Sequence, residues 1–140
     1  MDSKIKSNSE KLSELKEVFE LFSDPLDKIA QLIDIGKSSH CLTENEKSEK
    51  NLIKGCTSKA WMVIVESSDK LYSIKTDSDS HIVSGLLYLF ALSINNKSKS
   101  YINKINAVEL LNSIGLGGHI TSQRTNGFIS AVETLKKRII

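Results

Sequence analysis

The sequence has little net charge and no long hydrophobic run, and each scarcity argues against a class of protein. Its 140 residues include 19 basic and 17 acidic side chains, which gives a formal net charge of +2. Because basic and acidic residues alternate along the chain, we expect no nucleic-acid partner. The longest apolar stretch, residues 86–94, is less than half as long as a bilayer crossing requires. We therefore expect no membrane-spanning segment.

The sequence is also poor in metal-binding and nucleotide-binding motifs. Its two cysteines, Cys41 and Cys56, lie too far apart for a CxxC pair and offer too few ligands for a closed zinc site. The three histidines, His40, His81 and His119, would join them in a metal site only if the fold gathered these residues. Neither a Walker loop nor a GxGxxG after a predicted strand occurs. We therefore predict that the protein binds no metal and no cofactor.

The first residues are polar and lack the apolar segment of a secretory signal. Residues 1–8 are predicted to be a disordered tail, and residues 9–140 a single domain, since this length suffices for one core. The expected compartment is the cytoplasm, where both thiols stay reduced.

Two amphipathic helices joined by a tight break are predicted at the start of the domain. The first opens at a capping box in residues 7–10. Asp24 caps the second, the only proline, Pro25, occupies its first position, and the helix ends near Gly36. The apolar residues predicted to face inward are Leu12, Leu15, Val18, Phe19 and Phe22 in the first helix and Leu26, Ile29, Leu32 and Ile33 in the second.

A small antiparallel sheet is predicted in the middle of the chain. Residues 37–51 are polar and are assigned to a loop. The apolar, β-branched run Ala60–Val65 predicts one strand and Leu71–Thr76 a second, separated by a polar turn. Leu52–Ile53 is predicted to add a short third strand.

The helix predicted over residues 81–93 is apolar on nearly all sides, which is typical of a central buried helix. Residues 77–80 supply polar caps before it, and Gly85 permits close packing of another element. Residues 95–100 are assigned to a loop.

Two further helices complete the predicted order. Asn106 caps a short helix that closes at Gly115, and Thr121 or Ser122 opens the last one. The inward-facing residues of the last helix are Phe128, Ile129, Val132 and Leu135. The order α-α-β-β-β-α-α-α groups strands instead of alternating them with helices, and it predicts an α+β fold with helices packed on a three-stranded sheet.

Cys56 is the first candidate for chemistry. It follows Gly55, lies between Lys54 and Lys59, and leads into the strand that holds the only tryptophan, Trp61. Neighbouring cations favour the reactive thiolate form. A buried cysteine that only packs is the more frequent situation, so these residues alone leave both interpretations open.

Three other candidates are weaker. Cys41 follows His40, but side chains of adjacent residues point apart and rarely form a catalytic dyad. Asp77 and Asp79 can act as paired carboxylates in acid–base catalysis, although their place between a strand and a helix favours capping. Arg124 lies in the first turn of a helix, which is the unfavourable end for a cation. This indicates that a role other than helix stabilisation keeps an arginine at that position.

Together these residues resemble the SufE family, sulfur acceptors that partner cysteine desulfurases in iron–sulfur cluster assembly. The resemblance extends over nearly the whole chain. The matching segments are Leu32–Gly36, Glu49–Asn51, Gly55–Cys56 with Ser58 and Trp61, Asp77–Asp79, Ile82–Leu87, Leu116, His119–Thr121, Arg124 and Asn126–Phe128. The resemblance implies the α+β fold shared with NifU/IscU-type scaffolds.

The resemblance also implies a function. Cys56 occupies the position of the family's functional thiol, which takes sulfur as a persulfide from a SufS-like cysteine desulfurase, stimulates that enzyme, and delivers the sulfur to a SufB-like scaffold. No independent turnover is expected, and the pyridoxal phosphate belongs to the desulfurase. A monomer and a weak homodimer are both compatible with the sequence. The residues that the resemblance assigns to support or docking are Gly55, Ser58, Trp61, Asp79, His119 and Arg124.

Two other functions stay open. The protein can be an allosteric activator that binds the desulfurase without carrying sulfur, or a cysteine hydrolase that uses Cys56 with His81 or His119. The sequence also departs from the family at Ser38–Leu42, where a Leu-Pro turn is common. Cys41 is thus an extra thiol to which the resemblance assigns no role.

Overall fold

The computed structural model describes residues 8–55, 58–118 and 120–139. Two helices open this part of the chain, and a three-stranded sheet and four more helices follow. The elements are α1 (Asn8–Leu21), α2 (Pro25–Ser38), a 3-10 helix (Glu49–Asn51), β1 (Ala60–Glu66), β2 (Leu71–Ser78), α3 (His81–Ile94), β3 (Lys97–Ser98), α4 (Lys99–Asn103), α5 (Ala107–Ile114) and α6 (Ser122–Arg138). The predicted α+β class is confirmed. The predicted tail falls on residues 1–7, outside the described residues, and on Asn8, which is the first residue of α1.

The second helix begins as predicted and buries Leu32, one of the residues predicted to face inward, while Ile29 is partly buried against the core. Asp24 accepts a hydrogen bond from the backbone N–H of Leu26, with Pro25 at the first helical position. The buried stripe is Lys28, Leu32, Ile35 and Gly36, and the helix continues two residues past Gly36. Leu26 is 74% exposed, so its predicted inward position is wrong. It lies two residues, about 200° around the helix, from Lys28.

The third strand of the sheet is not the predicted one. Strands β1 and β2 pair antiparallel from Ala60 opposite Ser78 onward, and β3 pairs with Leu71 and Tyr72 of β2. Leu52 forms only an isolated bridge with Trp61, because a 3-10 helix ends directly before it.

The observed order is therefore α-α-β-β-α-β-α-α-α, with the third strand after the central helix. The predicted loop 95–100 instead contains β3 and the first two residues of α4. Asn96, with a φ of 57°, turns the chain back toward the sheet, and the hydroxyl of Ser98 caps α4 by accepting from the Tyr101 N–H.

Helix α3 is the buried centre of the fold, as predicted. It packs against α2 and against β2, and glycine permits a very close approach of α2. A Cβ added at Gly85 would overlap the carbonyl oxygen of Leu32, and one added at Gly36 would overlap the carbonyl of His81. This interlock fixes the end of α2 beside the start of α3.

The last two helices match their predicted caps. Asn106 accepts from the Glu109 N–H at the start of α5, which ends at Gly115 with a left-handed φ of 94°. Thr121 caps α6, whose Phe128, Val132 and Leu135 are buried, whereas Ile129 is half-buried. Among the described residues, no helix combines the length and the apolar character that a membrane crossing requires.

Candidate functional site

The segment around Cys56 leaves and rejoins the sheet at one place. The backbone N–H of Ile53 donates to the carbonyl of Ala60 at 2.8 Å, and Leu52 bridges Trp61. Residues 54–59, here called the thiol loop, are thus closed at their base by a hydrogen bond. Cys56 and Thr57 lie outside the described residues, so the structure describes the flanks of the predicted thiol but not the thiol itself.

The entry to the thiol loop packs against α6. Gly55 has a φ of 96°, a left-handed conformation that side-chain-bearing residues rarely adopt. A Cβ at this position would also overlap the hydroxyl of Ser130. Both observations favour glycine directly before Cys56.

The exit from the thiol loop is fixed by the end of β2. The carbonyl of Lys59 accepts two hydrogen bonds, one from the Asp79 backbone N–H at 3.0 Å and one from the Ser78 hydroxyl at 2.7 Å. Asp79 therefore lies beside the loop, where it makes this contact through its backbone while the residue as a whole is exposed. Ser58 is half-buried on the same side of the loop.

Trp61 is buried on the face of the sheet that is covered by residues 39–52, here called the covering segment. It is directly opposite Asp77 in the β1–β2 register, and its relative exposure is 8%. The ammonium of Lys47 lies 5.7 Å from the centre of its ring, a cation–π distance. Glu46 of the same segment pairs with Lys75 of β2 at 2.9 Å.

Asp77 is the centre of a polar network that no local sequence pattern predicts. Its side chain is 1% exposed. Its Oδ1 accepts from His40 Nδ1 and from the Ser78 backbone N–H, and His40 Nε2 lies 3.2 Å from His81 Nδ1. Its Oδ2 has no hydrogen-bond partner among the described residues, although the ammonium of Lys47 is 3.7 Å away.

This network corrects the interpretation of Asp77 as a cap, because Asp77 is a buried partner of His40. Ser80, not Asp77, caps α3 by accepting from the Val83 N–H. His40 and Asp77 are 37 residues apart in the chain, so the local sequence carries no signal of their contact.

Arg124 and His119 are the remaining predicted site residues. Arg124 is half-buried at the third position of α6. It is six residues from Ser130, which corresponds to about 9 Å along a helix and about 120° around it. The backbone of Arg124 therefore lies nearly two turns of α6 before the residue that contacts Gly55. His119 lies outside the described residues.

Cys41 is exposed, and its thiol donates to the carbonyl of Thr76 at 3.5 Å. His40 is turned away toward Asp77, so the two neighbours do not form a dyad. Among the described residues, no group of three or more histidine, cysteine, aspartate or glutamate side chains is arranged to hold a metal ion.

Comparison with known proteins decides the family. The sequence profile of the SufE family, described as an Fe-S metabolism associated domain, matches residues 13–139. The chain belongs to the SufE family. An uncharacterized SufE-like protein of Rhizobium etli is 32% identical over 129 residues, covering 90% of this chain and 87% of its own.

Other relatives agree with this assignment. An uncharacterized SufE-like protein of Rhizobium meliloti is 30% identical over 128 residues, 89% of this chain and 91% of its own. One of Haemophilus influenzae is 25% identical over 114 residues, 81% of this chain and 90% of its own. The solution structure of a hypothetical protein from Thermus thermophilus shares the fold, with a TM-score of 0.68 and 14% identity, covering 92% of this chain and 93% of that one.

Proposed function

We propose that this SufE-family protein is a sulfur acceptor and carrier. Cys56 takes the terminal sulfur of a persulfide on a cysteine desulfurase and delivers it to an iron–sulfur cluster scaffold, and docking stimulates the desulfurase. The observation that carries the proposal is the position of Cys56 in the thiol loop of a SufE-family chain, with the loop closed at its base by the Ile53–Ala60 hydrogen bond. The cytoplasm suits this chemistry because thiols stay reduced there.

The transfer is a thiol–disulfide type of exchange. The Cys56 thiolate attacks the terminal sulfur of the desulfurase persulfide, and a bond forms between Cys56 Sγ and that sulfur. The original sulfur–sulfur bond breaks, the desulfurase cysteine leaves as a thiolate, and the proton lost by Cys56 is available to it. No net oxidation or reduction occurs, so the acceptor needs no cofactor of its own.

The flanks of the thiol loop suit this task. Exchange requires an approachable sulfur on a segment that a partner can reach. Gly55 lies against Ser130 on one side and the Lys59 carbonyl is held by Ser78 and Asp79 on the other. These contacts fix both flanks of the loop close to the sheet and to α6.

A decisive experiment is the intact mass of the protein after incubation with a SufS-type cysteine desulfurase and free cysteine, without reductant. We expect one added sulfur that maps to Cys56, is removed by reductant, and is absent from Cys56→Ser. The matched control is Cys41→Ser, which retains the adduct because Cys41 lies on the Thr76 carbonyl instead of the thiol loop.

Two results would contradict the proposal. Faster desulfurase turnover without an adduct, unchanged in Cys56→Ser, would identify an allosteric activator. Hydrolysis of a thiol-reactive ester by the isolated protein, lost in His81→Ala, would identify a hydrolase; the contact of His81 Nδ1 with His40 does not favour it.

A further inference from the structure

Two histidines from distant parts of the chain meet at the surface near Asp77. His40 follows α2, and His81 is the first residue of α3. The atoms His40 Nε2 and His81 Nδ1 are 3.2 Å apart. The backbone of Gly36 lies against the carbonyl of His81, so the interlock of α2 with α3 holds the two rings at this separation. The side chain of His40 is 33% exposed and His81 is exposed, so both rings reach solvent.

The distance between His40 Nε2 and His81 Nδ1 is close to the distance between two nitrogen ligands of one metal ion. Zn²⁺ binds imidazole nitrogens at about 2.0–2.1 Å in tetrahedral geometry, so two ligand nitrogens are about 3.3 Å apart. A hydrogen bond also accounts for the distance. The geometry thus allows a metal ion to replace the shared proton without moving either ring far.

The carboxylate behind His40 prepares this histidine as a ligand. Because Asp77 Oδ1 accepts from His40 Nδ1, the neutral imidazole carries its proton on Nδ1 and its lone pair on Nε2. That lone pair is directed at His81. A carboxylate that accepts from the second nitrogen is the usual outer partner of a metal-bound histidine, and it fixes the tautomer and the orientation of the ring.

The charge of Asp77 favours a cation at the same place. Its carboxylate is almost fully buried, its Oδ2 lacks a hydrogen-bond partner among the described residues, and Lys47 stands 3.7 Å away, beyond hydrogen-bond distance. A buried charge that is incompletely paired is costly. Positive charge transferred to the His40 ring by a metal would offset part of that cost.

We propose that His40 Nε2 and His81 Nδ1 bind one divalent transition-metal ion of the zinc type, with Asp77 as a positioning residue. On binding, the proton of neutral His81 moves from Nδ1 to Nε2, so both ligand atoms present lone pairs. Since the described residues bring no third histidine, cysteine, aspartate or glutamate into such a group, water or small anions complete the coordination. The site is open and exchangeable, and it uses none of the residues proposed for sulfur transfer.

The test is titration of the purified protein with Zn²⁺ alone, followed by calorimetry and by competition with a chromophoric chelator. Cys41 and Cys56 are both replaced by serine beforehand, because thiolates are strong zinc ligands. We expect one equivalent of Zn²⁺, with affinity at least ten-fold weaker in His40→Ala and in His81→Ala. His119→Ala is the matched control and retains full affinity.

Asp77→Asn separates a positioning role from a ligand role. Both histidines remain, and we expect the affinity to fall by about 10–100-fold, the usual effect of losing an outer-shell carboxylate. His81→Ala is the deciding variant. His81 is exposed and is not a hydrogen-bond partner of Asp77, so its replacement leaves all the partners of the buried carboxylate in place. Equal affinity in the parent and in His81→Ala, or no binding by the parent, would overturn the proposal whatever the outcome for sulfur transfer.

Discussion

At the scale of single residues, Gly55 shows how one position combines conformation and packing. Its φ of 96° suits glycine, and its missing Cβ makes room for the Ser130 hydroxyl. The sequence places a glycine before the cysteine, but the contact with α6, 75 residues later in the chain, follows only from the tertiary structure. The glycine itself is visible in the sequence, whereas the two reasons for it, its left-handed φ and its packing against Ser130, are visible only in the structure.

Gly55→Ala is expected to destabilise the protein by more than Gly118→Ala. Both positions have a left-handed φ, which costs an alanine about 1–2 kcal/mol, but nothing lies within 4 Å of a Cβ at Gly118. The overlap with Ser130 adds a cost at Gly55 alone. The free energies of unfolding from urea denaturation give the comparison, and equal losses would show that the Ser130 contact has no energetic weight.

The second residue-scale prediction concerns Glu46. The Thr43 backbone N–H and then the Lys75 ammonium lower the pKa of Glu46 from its ordinary value of 4.5. At pH values above the ordinary pKa, the charged form of Glu46 therefore stabilises the folded state. This contribution is lost as the pH falls through the lowered pKa. A carboxyl NMR titration is expected to give a midpoint below 4.5.

Lys75→Met separates the two causes of the Glu46 shift. The midpoint is expected to rise only in part, because the Thr43 N–H is the larger cause. Full return to the ordinary value would assign the whole shift to the ion pair, and a midpoint at or above that value in the parent protein would contradict the prediction.

At the scale of elements, polar and charged side chains of the covering segment join it to the sheet. His40 joins it to Asp77, Glu46 joins it to Lys75, and Lys47 lies over Trp61. Its composition indicates a loop, and no periodic hydrophobic pattern predicts that it covers one face of the sheet. Pairings between polar residues more than 25 positions apart leave no local signature, so this part of the site lay beyond sequence analysis.

His40→Ala is expected to loosen the covering segment and to lower the free energy of unfolding by about 1–3 kcal/mol, because the buried Asp77 carboxylate loses one of its two hydrogen bonds and keeps only the one from the Ser78 N–H. The emission of Trp61, the only tryptophan, should shift to longer wavelength as its cover opens to water. Cys41→Ala is the matched neighbouring control and should change neither quantity, since its thiol makes only a weak contact with Thr76. A His40→Ala protein with unchanged stability would show that the Asp77 network is not structural.

The helices and the sheet were predictable to different degrees for a related reason. Capping residues such as Asp24 and Asn106 act within three positions of the helix start, so sequence alone located those helices. The third strand has two residues and forms only where Asn96 returns the chain to β2. A strand of two residues has no hydrophobic pattern of its own, and its pairing with β2 defines it.

At the scale of the whole molecule, several basic side chains lie near the thiol loop. The formal net charge is +2, yet four exposed basic residues lie on or beside the thiol loop. These are Lys50, Lys54, Lys59 and Arg138, the last of which donates to the Leu52 carbonyl at 3.0 Å. If the proposed function holds, the desulfurase surface that receives this loop is acidic.

Lys54→Glu is expected to weaken stimulation of the desulfurase by raising the half-saturating concentration of this protein. The difference from the parent protein should decrease as salt is added. The control is Lys70→Glu in the β1–β2 turn, at the far end of a strand of seven residues, about 20 Å away. Equal effects of the two substitutions would attribute the result to net charge and contradict a local acidic contact. The final extent of persulfide on Cys56 is expected to stay unchanged, which keeps docking separate from transfer.

The hydrogen bond from Ile53 to Ala60 also marks a boundary for protein engineering. Everything between these two residues is a cassette of six positions, 54–59, whose ends are held together by the fold and not by the cassette. Loops from other SufE-like proteins can therefore be exchanged at this boundary, provided that glycine is kept at position 55. Such chimaeras would show how much of partner choice belongs to the six residues and how much to the framework that presents them.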